Sequence, residues 1–443
     1  MKPLERGHKK LLNAWAFYDW ANSVYSLTIV STIFPIFYGL LFRIAKLTHI
    51  ELFGMVIKST SVIAFVTALA FAVVVVLSPI LSGIADYLGN KKSFMRFFCY
   101  LGAISCVGLY WFSLEHIYFG LLCYFCGVVG FWGSIVFYNS YLPDIALPEQ
   151  YDAVSAKGYS LGYTGSVLLL IFNLIMVMKP QWVGFATVDA ETTLTTMRIS
   201  FITVGIWWIG FSSIPFYYLP SYKKGRGEFS KSILFNGFKE LRKVWQSLSA
   251  SPRLKWYLIA FFVYSMGVQT VMLIATYFGE QEIQWANSEE STMGLIISVL
   301  IIQLVAILGA HLTVLTVRKW GNIAVLIGLN VIWVGICLLS YCVYKPTEFY
   351  TIAILVGLVM GGIQTLSRST YSAYLPETKD TTSFFSFYDV TEKLGIVIGM
   401  GVYGMIDQFT NNMRNATISL IVFFVLGMLL LFKVRKVSRV ANE

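Results

Sequence analysis

Charge is scarce in this chain. Asp, Glu, Lys and Arg make up 13% of its 443 residues, about half the share of roughly 25% usual in soluble domains. With 57% hydrophobic residues and a mean hydropathy of +0.69, that scarcity excludes a soluble globular or a disordered chain. Histidine is scarcer still, with four copies. The six cysteines include one C-x-x-C spacing, Cys123 and Cys126, but no second pair or histidine cluster completes a zinc set. Metal and redox chemistry are therefore not expected, and the cysteines read as packing residues. His311 alone lies in an apolar stretch, where a structural role is the simpler assignment. No nucleophile arrangement or phosphate loop is apparent, so neither catalysis nor a cofactor is expected. No small-residue cleavage site follows the first apolar stretch, which is expected to stay attached as a helix.

What the chain has instead is apolar runs. A hydrocarbon core about 30 Å thick needs roughly 20 apolar residues per helix. Twelve segments meet that length: 12–42, 60–84, 94–113, 117–142, 154–178, 195–219, 254–279, 291–316, 321–344, 349–374, 383–408 and 415–434. The expectation is an all-α membrane protein of twelve transmembrane helices. The net charge of +10 follows from basic residues in alternate loops, so it speaks for orientation in a bilayer and not for nucleic acid. Arg6, Lys9 and Lys10 precede span 1, Lys91, Lys92 and Arg96 follow span 2, Arg318 and Lys319 follow span 8, and Lys433, Arg435, Lys436 and Arg439 close the chain. Both termini are expected to be cytoplasmic.

The longest polar stretch, 221–255, carries nine Lys or Arg against Glu228 and Glu240. It divides the chain into six-helix halves, 1–220 and 254–443, joined by a linker at 221–253. Within it Ile233, Phe235, Phe238, Leu241, Val244 and Trp245 recur at near-helical spacing among Lys239, Arg242 and Lys243, as in an amphipathic helix on the inner membrane face. The halves repeat each other: Gly89-Asn90 matches Gly321-Asn322, Tyr141 to Asp144 matches Tyr374 to Glu377, and Gly162 matches Gly395. The offsets are 232, 233 and 233. Parallel repeats of this kind place a solute site between the halves near the bilayer midplane.

Polar residues inside apolar spans mark that site, because a carboxylate in hydrocarbon costs about 2.5–3.5 kcal/mol on insertion scales. Asp19 shares a helical stripe of span 1 with Asn22, Ser23 and Ser26. Desolvation favours the protonated form of a carboxyl, as a proton-coupled carrier needs, while a structural hydrogen bond to Asn22 or nearby backbone is the alternative. In span 7, Ser265 and Gln269 share a face, in a register matching Asp19 and Ser23. In span 10, Gly357, Gly361, Gln364, Arg368 and Tyr371 form a face that is thin at one end and polar at the other. Span 11 brings Asp389, Glu392 and Lys393, with Asp389 and Lys393 an i, i+4 pair. Arg368 is open to two roles, a gate ion pair with Asp389 or Glu392 or a ligand for a solute carboxylate. Asn139 after span 4 completes the polar set. Trp132, Tyr159 and Tyr163 are candidates to stack on a solute, whereas Trp207 and Trp208 fit helix contacts. Lys157 reads as a snorkelling residue or a gate partner of Asp144.

The loop after span 2 reads Pro79-Ile80-Leu81-Ser82-Gly83-Ile84-Ala85-Asp86-Tyr87-Leu88-Gly89-Asn90-Lys91-Lys92. Small residues, then an acid, a glycine and cations suit a latch between helices. It resembles the loop signature of the major facilitator superfamily, with Tyr87 where a basic residue is usual. The second-half copy, Val317-Arg318-Lys319-Trp320-Gly321, has no acid. Longer strings narrow the resemblance: Tyr18-Asp19-Trp20-Ala21-Asn22-Ser23, Tyr138-Asn139-Ser140-Tyr141-Leu142-Pro143-Asp144, Gly267-Val268-Gln269-Thr270-Val271, Gly361-Gly362-Ile363-Gln364-Thr365-Leu366-Ser367-Arg368-Ser369, and Phe384-Phe385-Ser386-Phe387-Tyr388-Asp389-Val390 with Lys393. Together they are similar to the vacuole effluxer-like family of that superfamily, whose fungal members are associated with amino-acid export. Met266 stands where members often carry an acid, so no coupling role is carried over to it.

The resemblance implies a major facilitator fold working by alternating access in a bacterial-type inner membrane, as a monomer. Its solute is expected to be a small polar organic molecule such as an amino acid, with protons as a coupling option. A carrier of an amphipathic or lipid-like molecule and a non-transporting receptor or scaffold stay open as alternatives.

Overall fold

The computed structural model describes residues 4–185, 189–221, 233–410 and 412–440. Eleven of its helical stretches are long and apolar enough to cross a membrane. Thr381–Thr410 is as long as its neighbours, but Asp389, Glu392, Lys393 and Asp407 reduce its apolarity; counted with the other eleven, it brings the total to twelve. In order the spans are Lys9–Ile44, Ser59–Leu88, Lys91–Gly108, Ile117–Asn139, Tyr151–Met178, Ala190–Tyr218, Pro252–Glu282, Ser288–Trp320, Asn322–Tyr341, Pro346–Tyr374, Thr381–Thr410 and Met413–Val437.

Span 1 departs from the expected continuous helix. An α-helix over Lys9–Val24 passes into a π-helix over Tyr25–Val30, and a second α-helix begins at Ile33. Pro35 lacks an N–H, and its ring collides with the carbonyl four residues back, so the helix restarts around it. Ser31 closes the break by donating from both its N–H and its hydroxyl to the Ser26 carbonyl. Between spans 1 and 2 lies a hairpin absent from the sequence reading, β1 (His49–Leu52) and β2 (Met55–Lys58). Its two-residue turn holds Phe53 at φ 52° and Gly54 at φ 75°. Positive φ at both positions matches the right-handed twist of a tight hairpin.

Two hydrophobic clusters fill the molecule. One gathers residues from Leu11 to Leu219, and the other runs largely from Val244 to Val434. In the first, span 1 packs on spans 5 and 6, and span 3 on spans 4 and 6. In the second, span 7 packs on spans 11 and 12, and span 8 on span 10. Across the seam, span 5 meets spans 8 and 10, and span 11 meets spans 2 and 4.

Glycine permits the tightest approaches. A Cβ on Gly361 would lie 2.0 Å from the Ala306 carbonyl oxygen, and one on Gly357 2.6 Å from that of Ile302. The repeat is visible here too. Gly162 faces the Ser23 hydroxyl and the Asp19 carbonyl, and Gly395 faces the Ser265 hydroxyl and the Phe262 carbonyl. Ser265 is thus the counterpart of Ser23, which corrects the expected register of span 7 by one helical turn.

The linker helix (Ile233–Ala250) lies along span 2 and touches spans 7 and 11. Val244 and Leu248 are buried and Trp245 is exposed beside Phe387. The side chains of Ile233, Phe235, Phe238 and Leu241 lie outside the described residues, as do Glu228 and the basic residues before Ser232.

Candidate functional site

Arg368 comes from span 10 and is 2% exposed, yet its guanidinium sits among groups of the other half. Span 10 presents it to span 5 at the level where Gly158 leaves room. A Cβ on Gly158 would meet Asp19 Oδ2 at 2.5 Å and Arg368 Nη2 at 2.9 Å. Nε donates to Ser155 Oγ at 3.0 Å and Nη2 to the Ser155 carbonyl at 2.8 Å. Nη1 donates to Asp19 Oδ2 at 3.2 Å and to Asn139 Oδ1 at 3.3 Å. The Tyr138 hydroxyl donates to the same Asp19 oxygen at 2.7 Å. Tyr159 and Trp15 rings flank the guanidinium at 4.1 and 4.8 Å, and Trp15 stacks on Tyr138 at 4.5 Å. Geometry of this quality is what a buried ion pair requires to offset desolvation.

A second polar centre adjoins the first. Lys393, fully buried on span 11, is paired with Asp389 and donates to Glu392 Oε2 at 3.2 Å. Gln269 of span 7 donates to Glu392 Oε1 at 2.7 Å. The Lys393 ammonium also lies 3.8 Å from the Trp132 ring centre on span 4. Tyr163 donates to the Gln364 side-chain oxygen, and the Gln364 amide reaches the Met272 sulfur. Between the two centres is a cavity of about 20 Å³ lined by Tyr159, Tyr264, Gln269, Gln364, Tyr388 and Glu392. That is room for about one water.

Spans 1, 4, 5, 7, 10 and 11 all contribute to this network. Its acids are Asp19, Asp389 and Glu392, and its cations are Arg368 and Lys393. Three negative against two positive formal charges leaves one negative charge over.

Several expectations need correcting. Arg368 pairs with Asp19, not with Asp389 or Glu392, because its face of span 10 packs on span 5. Lys393, one turn from Asp389 on the same helix, takes both acids without needing tertiary alignment. Lys157 donates to Asn13, and Asp144 is held by Lys91. Asn22 is buried and accepts only a long bond from Ser23, so neither residue joins the Arg368 centre. His311 bonds Ser160 and its own helix backbone. The sequence reading did not single out Trp15, Ser155 or Gly158, and quoted Tyr138 only within a motif string, without a role. Trp15 lies one turn before Asp19, and Gly158 one turn before Gly162, so helical spacing was the signal available for both.

At the end of the molecule carrying Lys91, Asp86 accepts from the backbone N–H groups of Thr382 and Ser383 at 3.3 and 2.6 Å, at the start of span 11. Lys91 donates to the Ser140 carbonyl and to Thr381 Oγ1, both at 3.1 Å, as well as pairing with Asp144. These contacts join spans 2 and 3 of one half to span 11 of the other. In the second-half copy, Asn322 donates to Asp152 of span 5 at 2.9 Å. The missing acid is therefore supplied from the opposite side of the seam.

The fold recurs in solved transporter structures. The chain superposes on the major facilitator transporter FucP in the outward conformation with a TM-score of 0.70, at 12% identity, over 96% of this chain and 98% of that one. A bacterial homologue of the iron transporter ferroportin in an outward-facing state gives 0.65 at 11% identity, over 96% and 98%. In sequence it is 30% identical to the MFS-type transporter YxiO of Bacillus subtilis, over 95% of this chain and 93% of that protein. It is 24% identical to Autophagy-related protein 22 of Saccharomyces cerevisiae, over 84% and 76%. The family model described as vacuole effluxer Atg22 like matches residues 7–443. By that match and the identity to YxiO, the chain belongs to the vacuole effluxer Atg22-like family, with the fold of the major facilitator superfamily.

Proposed function

We propose that the protein is an alternating-access carrier of a small polar organic solute, an amino acid or related metabolite, driven by protons. The observation that carries this reading is the buried pair of Asp19 and Arg368, drawn from opposite halves. A guanidinium binds any carboxylate of matching geometry. A solute carboxylate can take Arg368 as Asp19 takes a proton, so binding and protonation are exchanged at one position. The surplus negative charge supports this, since one proton balances the network. The names of the relatives, an MFS-type transporter and a vacuole effluxer, agree with transport.

In this reading the halves are 1–220 and 254–443 and the linker is 221–253. Both termini and the Lys91 end are cytoplasmic in a bacterial inner membrane, and the monomer is the working unit. A lipid-like solute is less well supported, because spans 5 and 8 and spans 2 and 11 pack directly on each other. A receptor or scaffold has no evident use for a buried ion pair across the seam with a second buried pair, Asp389 and Lys393, beside it.

A thermal-shift screen of purified protein against amino acids, peptides, nucleosides and lysolipids tests the solute class, since a ligand of the folded state raises its melting temperature. Stabilisation by amino acids that is lost in Arg368→Lys is the expected result. Stabilisation by lysolipids alone contradicts it.

A further inference from the structure

On the Lys91 side of the seam, away from the central network, a cleft of about 400 Å³ opens where the second-half loop lacks its acid. That volume falls in the range of small-molecule sites. Arg253 and Arg435 line it from spans 7 and 12, Tyr374 from span 10, and Trp320 and Asn322 from the turn between spans 8 and 9. The Arg253 guanidinium lies over the Tyr374 ring at 3.9 Å, and its Nε is buried without a hydrogen-bond partner. Asp152 is the one acid among the residues lining the cleft, and it is already engaged by Asn322. Trp320 is 64% exposed at its rim. The first turn of span 9 also borders the cleft and has no side-chain cap. Two guanidinium groups, one lying over an aromatic ring and one exposed, beside a helix start without a side-chain cap match the needs of a tetrahedral anion.

We propose that this cleft binds a phosphate-bearing anion, with Arg253 and Arg435 as its cationic ligands. The phosphate comes either from a soluble molecule or from an anionic lipid headgroup, and both present the same chemistry to the two arginines. Tyr151 and Asp152 belong to one half and the arginines to the other, so the occupied cleft lies across the seam that must open during transport.

The test is thermal unfolding of the full chain in detergent with inorganic phosphate, inorganic pyrophosphate, dihexanoyl phosphatidylglycerol or dihexanoyl phosphatidylcholine. Potassium chloride at matched ionic strength is the baseline. A saturable rise in melting temperature with at least one anionic probe is expected, lost in Arg253→Gln/Arg435→Gln and kept in Asp19→Asn. A rise confined to phosphatidylglycerol assigns the headgroup; a rise with phosphate or pyrophosphate assigns a soluble ligand. Should the double variant not fold, Arg253→Lys keeps the charge but loses the planar fork, and several-fold weaker half-saturation is expected. No shift beyond the chloride baseline, an equal shift with phosphatidylcholine, or a shift unchanged in the arginine variants overturns the proposal.

Discussion

At the scale of single residues, Arg368 organises the centre: four of its hydrogen bonds end on Asp19, Asn139 and Ser155. Arg368→Ala leaves Asp19 buried without its cation, and breaking such a pair costs about 3–5 kcal/mol. Removing both charges avoids the orphaned group, so Asp19→Asn/Arg368→Met is expected to be more stable than Arg368→Ala. Chemical unfolding of the wild type and the two variants in detergent checks the order, and equal stability of single and double variants argues against a coupled pair. Gly158→Ala is the steric counterpart. Its methyl group would stand 2.5 Å from Asp19 Oδ2, so the pair must part or the helices separate, at a cost of about 1–3 kcal/mol. The expected outcome is a lower melting temperature and lost transport, with membrane insertion intact. Asp19 and Arg368 were each legible in the sequence, because ionisable groups in apolar runs need a reason. Their pairing was not, since it depends on which face of span 10 meets span 5, and no spacing along one helix encodes that.

At the scale of elements, hydropathy located the spans because each must bury a full bilayer thickness of backbone. It was less informative where function intrudes. Span 11 carries buried charges, span 1 breaks near Pro35, and the hairpin at His49–Lys58 is too short to register in an apolar window. The glycine face of span 10 shows how one helix serves two partners. Gly357 and Gly361 approach the backbone of span 8, while Gln364 and Arg368 reach span 5. Small residues spaced by four allow this close packing in membranes. Gly361→Leu would force its side chain onto the Ala306 carbonyl, 2.0 Å from the first carbon alone. A fall in melting temperature larger than that of Gly404→Leu, where a Cβ meets nothing within 4 Å, is expected; equal tolerance at both positions would mean spans 8 and 10 do not meet as described.

At the scale of the whole molecule, the repeat was legible through three matched loops and helices, and the structure shows why its copies diverge. One latch places Asp86 on the start of span 11, and the other places Asn322 on Asp152 of span 5. With both made, the Lys91 end is closed. Asp86→Ala/Lys91→Ala is expected to raise several-fold the labelling rate of a single cysteine at Ser155 by a maleimide, in a background without the six native cysteines. An unchanged rate would show that these contacts do not hold that end shut. The central claim is that the Asp19 and Arg368 pair couples a proton to the solute. Its most direct test is uptake of a labelled amino-acid mixture into proteoliposomes under an imposed pH gradient, wild type beside Asp19→Asn. The wild type is expected to accumulate label against its gradient, and Asp19→Asn to exchange label without accumulating it. Accumulation by Asp19→Asn with the wild-type pH dependence would contradict the claim and leave the carboxylate a structural role.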